Sequence, residues 1–126
     1  MSDVSIKKIG EIPAYEGEYA IEGIQFRYAA KSLGVTAWGM NVLELAPNVE
    51  GCPEHDHKGD GQEEVYVILR GGGVILIEGE ERMPIEEGML VRVGPTTKRK
   101  LLPDARGMSV LAIGGTPGQA FKSMLG

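Results

Sequence analysis

Apolar and polar residues alternate along most of this chain with a period of two rather than 3.6, the pattern of half-buried strands. Ile24-Gln25-Phe26-Arg27-Tyr28 is the first such run. Ala29 to Leu33 can open a helical turn, but Gly34 stops it at once. Val35 to Leu45 is rich in β-branched and aromatic residues; the period places Trp38, Met40 and Val42 on one face and Leu43 and Leu45 on the other. Residues 47–63 are polar and interrupted by Pro47, Gly51, Pro53, Gly59 and Gly61. Glu64 to Arg70 then predicts a strand, Gly71 to Gly73 a turn, and Val74 to Glu78 another strand. Beyond the hairpin residues Gly79-Glu80-Glu81 and the turn at Glu87-Gly88, strands are predicted at Met89–Val93, Lys98–Leu102 and Ser109–Ile113, with a turn at Pro103-Asp104 between the last two. Gln119 to Leu125 predicts a short helix.

These runs amount to about eight short strands with turn signals between them, which predicts an all-β sandwich or barrel. No repeat and no low-complexity linker divides the chain, so residues 1–126 are expected to form a single domain. Val65, Val67 and Leu69 alternate with Tyr66 and Ile68, so that strand is apolar on both faces. One face lines an interior; the other needs cover from a second sheet, the N-terminal segment or a partner subunit, and a homodimer is expected.

Composition narrows the function classes. Nineteen glycines and seven prolines suit a chain that turns often. Thirteen basic against 18 acidic side chains give a net charge of −5, which argues against nucleic acid and anionic membranes as partners. The single cysteine, Cys52, excludes an internal disulfide and a multi-cysteine zinc site. The opening Met1-Ser2-Asp3-Val4-Ser5 lacks the basic-then-apolar pattern of a leader, and no apolar run approaches membrane-spanning length, so a cytoplasmic protein is expected.

The polar stretch holds both histidines, in the tripeptide His55-Asp56-His57. In extended chain, residues two apart point the same way, so both imidazoles converge on the side opposite Asp56. A carboxylate from Glu63-Glu64 at the head of the next strand can lie beside them. Two imidazoles and one carboxylate suit a divalent transition metal such as iron, manganese, nickel or zinc, with positions left open for a small molecule. Nothing in the chain calls for an organic cofactor.

The run His55-x-His57, then Glu64, then six residues, then Gly71 resembles the first motif of the cupin family. Glu64, unlike Glu63, has the motif's distance to the glycine. Glu87-Gly88-Met89-Leu90-Val91-Arg92-Val93-Gly94-Pro95 is similar to the second motif, and the likeness runs from about Val35 to Ile113. It implies a double-stranded β-helix, or jelly-roll barrel, with a small-molecule site in its mouth and a metal held by His55, His57 and Glu64. Reactions of oxygenase or isomerase type on a small anionic substrate are one expectation; a non-catalytic, metal-free ligand-binding module is the other.

This chain departs from the pattern in three places. Six residues, Lys58 to Glu63, separate His57 from Glu64 where three or four are usual, so the loop can displace the carboxylate. Val49 stands where the first motif has its leading glycine. Arg99 falls where the second motif supplies a third histidine, and arginine stays protonated and does not ligate metal. Two roles for Arg99 follow: it anchors a substrate anion beside the metal, or it pairs with Glu64 and repels the cation. Tyr66 is the further candidate for substrate contact, while Ile68, Trp38 and Met40 suit either the core or a cavity wall. Glu54, Asp56, Asp60 and Glu63 make the loop acidic, with Asp60 and Glu63 as replacement ligands in reserve. Cys52, without an evident base, reads as a bystander. Gly114 to Gly118 lacks the lysine of a phosphate loop and reads as a turn.

Overall fold

In the computed structural model, which describes residues 2–118, the chain forms six strands in a single antiparallel sheet network, with one short α-helix and a 3-10 turn at Ile9–Glu11. The strands are β1 (Ile24–Arg27), β2 (Gly39–Leu45), β3 (Glu63–Ile77), β4 (Glu81–Glu86), β5 (Leu90–Val93) and β6 (Arg99–Gly115); α1 spans Ala29–Leu33. Neighbours run β1-β2-β6-β3-β4, with β5 paired to β3. The expected all-β barrel is therefore present, with six strands rather than eight. Two predicted turns are in fact continuous strand: Gly71–Gly73 lies inside β3, and Pro103-Asp104 lies inside β6. The segment around Met83-Pro84-Ile85 forms a strand of its own, β4, where proline is tolerated because β4 ends the sheet order. The helix predicted at Gln119–Leu125 lies outside the described residues.

The bend of β3 makes the barrel. Its pairing with β6 shifts register between Ile68 and Arg70 and again between Gly71 and Gly73. Ile77 pairs with Arg99, yet Arg99 reaches Glu64, thirteen residues before Ile77 on the same strand. A straight strand would hold those two positions about 40 Å apart. The bulges at the glycines instead turn β3 back across the interior, so its two halves face each other.

The faces of β2 follow the predicted period. Leu43 and Leu45 pack in the main core with Ile68, Ile75, Met108 and Val110. Met40 and Val42 face the opposite way, against Ile12 and Ala29. This face of β2 is thus covered by the N-terminal segment and α1, which ends at Gly34 in the left-handed conformation. Trp38 belongs to neither cluster and is exposed. No helix among the described residues is long and apolar enough to cross a membrane.

Candidate metal centre

Backbone pairing brings the histidines to Arg99. His55 forms an isolated antiparallel bridge with Arg99, each N–H donating to the other's carbonyl at 2.9 Å, and His57 N–H donates to Pro95 O at 2.8 Å. Directly paired residues project to the same face, and so does the residue two positions along. Both imidazoles accordingly turn inward, with ring centroids 5.2 Å apart. Asp56 turns away and accepts a hydrogen bond from Lys58 N–H at 3.0 Å. Glu64 completes the group despite the long loop: its Oε1 lies 3.7 Å from His55 Nε2 and 3.5 Å from His57 Nε2. One donor atom from each of the three residues falls within 4.8 Å of the others.

The outer nitrogens fix the tautomers. His57 Nδ1 faces both carboxylate oxygens of Asp60, at 3.0 and 3.1 Å, and His55 Nδ1 faces Pro53 O at 3.3 Å. A carboxylate and a carbonyl only accept, so each Nδ1 carries the proton and each Nε2 presents a lone pair to the centre. His57 Nε2 is buried and has no hydrogen-bond partner. Buried polar atoms are normally paired, so this one fits an electrophile in the site. The donor set and its outer hydrogen bonds match what a divalent metal requires. Asp60 is therefore a positioning residue on His57, a role beyond the solvated loop or reserve ligand read from sequence. The signal available was its place three residues after the histidine, across a short polar turn. Glu63, the other reserve ligand, points outward to Arg92.

Arg99 is fully buried, and four of its N–H groups find acceptors within the protein. Nη2 donates to Glu64 Oε1 at 2.9 Å, Nε to the Tyr66 hydroxyl at 3.2 Å, and Nη1 to Thr97 O at 2.7 Å and Gly94 O at 3.5 Å. Tyr66 Oη in turn donates to Glu64 Oε1 at 2.6 Å. Of the two roles for Arg99, this geometry favours pairing with Glu64 over anchoring an anion. Burial pushes the Glu64 carboxyl up, but the neighbouring His55 imidazole and hydrogen bonds from Tyr66 and Arg99, with the Arg99 charge, outweigh it and hold its pKa at about 2. Glu64 is thus a fixed negative charge and a poor base at neutral pH. The adjacent Glu64 carboxylate raises the His55 pKa, with burial opposing. Burial pushes the Cys52 thiol up, so it stays neutral.

A pH prediction follows. The folded pKa of Glu64 lies below its ordinary 4.5, so its contribution is full above that value and is lost as pH falls toward 2. The difference is on the order of 3 kcal/mol. Urea unfolding of the wild type and Glu64→Gln between pH 7 and pH 3 should show the variant with the flatter profile; parallel profiles would mean the carboxylate is not held this way.

His55, His57, Glu64, Tyr66 and Arg99 line one cavity of about 450 Å³. No family model matches the chain, and no curated protein does. Solved structures do. A cupin protein from Bacteroides fragilis aligns with a TM-score of 0.69 at 24% identity, over 89% of this chain and 92% of its own. The chain has the cupin fold. KdgF from Halomonas sp. aligns at 0.70 and 12% identity, over 94% of this chain and 97% of its own. Ectoine synthase from P. lautus aligns at 0.66 and 20% identity, over 87% and 76% respectively. In this cupin barrel Arg99 occupies the inward position that the motif comparison assigns to a third histidine, beside the other three side chains.

Proposed function

We propose that this cupin barrel carries a divalent-metal centre held by His55, His57 and Glu64, and acts on a small molecule in the adjoining cavity. The observation that carries the reading is the buried, unpartnered Nε2 of His57, converging with His55 and Glu64 while the outer nitrogens are hydrogen-bonded. A divalent ion held there would supply Lewis-acid polarisation of a substrate oxygen, as an isomerase-type reaction requires. The chain's own part is to hold the two lone pairs in place, keep Glu64 ionised, and keep water from the floor with Tyr66 and Leu101. Asp60 fixes His57 against rotation. Arg99 and Tyr66 fix Glu64 from behind.

Elemental analysis of protein purified without a histidine tag should find about one transition-metal ion per chain after reconstitution. His55→Ala and His57→Ala should each abolish uptake, whereas Asp56→Ala should not. Equal losses from all three would overturn the converging geometry.

One observation favours the metal-free binding module: the Arg99–Glu64 pair at 2.9 Å already neutralises the carboxylate. That reading predicts no uptake by the wild type under any reconstitution, with ligand affinity unchanged by a chelator.

A further inference from the structure

The walls of the cavity identify a class of ligand. Strand register shows why space exists there. Tyr66, Ala112 and Asn41 are consecutive partners across β3, β6 and β2, and Glu64 and Gly39 both pair with Gly114 in the adjacent row. Tyr66 and Asn41 therefore sit about 10 Å apart, two strand spacings, with only the methyl of Ala112 between them. Two positions further in, Ile68, Val110, Leu43 and Phe26 form a bulky row that closes the space.

The charged groups gather at one end, where Glu64 and Arg99 sit with the histidines and Tyr66; elsewhere the lining's polar groups are Asn41 and the hydroxyls of Tyr15, Tyr19 and Tyr28. Among the described residues Arg99 is the only lysine or arginine in the lining, and its charge is met by Glu64. Away from that end, Asn41 is the one amide, and its side chain makes no hydrogen bond among the described residues. The opposite wall is aromatic. Tyr28 packs edge-on against Phe26 at 5.0 Å and Tyr15 at 6.3 Å between centroids.

We propose that the cavity takes an uncharged aromatic small molecule with an oxygen-bearing head, and not a phosphorylated or multiply hydroxylated one. Its ring lies between the Tyr15–Phe26–Tyr28 wall and Ala112, and a second polar substituent meets Asn41. Among the described residues a phosphate finds no free cation in these walls. Each sugar hydroxyl buried without a partner weakens binding, whereas a planar ring gains from apolar burial and from edge-to-face contact. The direction of the head, toward the histidines, rests on the proposed metal centre; the ligand class rests on the walls alone.

Titration calorimetry with 2-naphthol and with glucose 6-phosphate, on metal-free protein and again with Mn²⁺ added, tests this. Naphthol should bind both forms, at least about tenfold tighter than the sugar phosphate. Ala112→Leu fills the gap and Ala20→Trp crowds the exposed rim; each should weaken naphthol at least about tenfold, with an unchanged thermal transition for Ala20→Trp showing that it folds. Asn41→Leu should weaken 2,6-dihydroxynaphthalene and spare 2-naphthol. Preference for glucose 6-phosphate, or naphthol affinity indifferent to both alanine variants, overturns the proposal. Naphthol binding without any uptake of Mn²⁺ would remove the metal centre and leave the ligand class standing.

Discussion

Gly71→Ala is expected to cost more than about 3 kcal/mol of folding stability, enough to unfold much of the population of a marginal domain. Gly71 has φ +74°, a left-handed value that an alanine adopts only at a cost of roughly 1–2 kcal/mol. The larger penalty is steric. A Cβ there would overlap the carbonyl oxygen of Gly107 and lie 3.2 Å from Met108 Cα. Both obstacles are backbone, and Gly107 is itself left-handed and closely approached by Leu45 O, so neither strand can withdraw. Gly88→Ala is the control: φ is +88°, but nothing lies within 4 Å of the added methyl. It should cost about 1 kcal/mol, from backbone strain alone. Midpoints in urea for the two variants separate crowding from conformation. Similar losses would mean that the β3–β6 crossing is looser than its geometry indicates.

The same glycine shows how far the sequence could be read. Period-two alternation placed Leu43 and Leu45 on one face of β2 and Met40 and Val42 on the other, because alternation is a local consequence of the pleat. Gly71 to Gly73 read as a turn between two strands and are instead bulges within one. What decides is the backbone of Gly107 and Leu102 pressed against Gly71 and Gly73, pairings 36 and 29 residues away that no local pattern encodes. The inward convergence of His55 and His57 was legible for the same reason as the faces of β2. The fate of Glu64 was not: a six-residue loop had room to carry it off. It stays because Gly61 takes a positive φ of 68° and Asp60 folds back onto His57, drawing the loop in. Asp60 looked like one more solvated acid until its partner was known. The aromatic wall was hidden for a similar reason, since Tyr15 and Phe26 reach the cavity from segments far from both motifs.

Arg99→His should bind Zn²⁺ or Mn²⁺ at least about tenfold more tightly than the parent. Arg99 is fully buried with Nη2 2.9 Å from Glu64 Oε1, so a bound cation would feel a full positive charge at close range. Two like charges near 5 Å repel by a few kcal/mol even at an effective dielectric of about 20. Histidine removes that charge, frees Glu64 from its competitor and adds a neutral nitrogen donor. Arg99→Ala separates the effects, because it removes the charge and adds no ligand; its affinity should fall between the other two. Stability without metal should move the opposite way. Both variants leave Glu64 and Tyr66 without their buried partner, a loss of about 3–5 kcal/mol for a broken buried pair. Metal should restore much of that in Arg99→His, since a ligand that binds only the folded state raises its stability by mass action. Calorimetric titration of the three forms, with thermal unfolding at matched metal concentrations, reads both quantities. Equal affinities across the series would mean that the guanidinium charge is not felt where the imidazoles converge, and the site would have to be assigned without a metal.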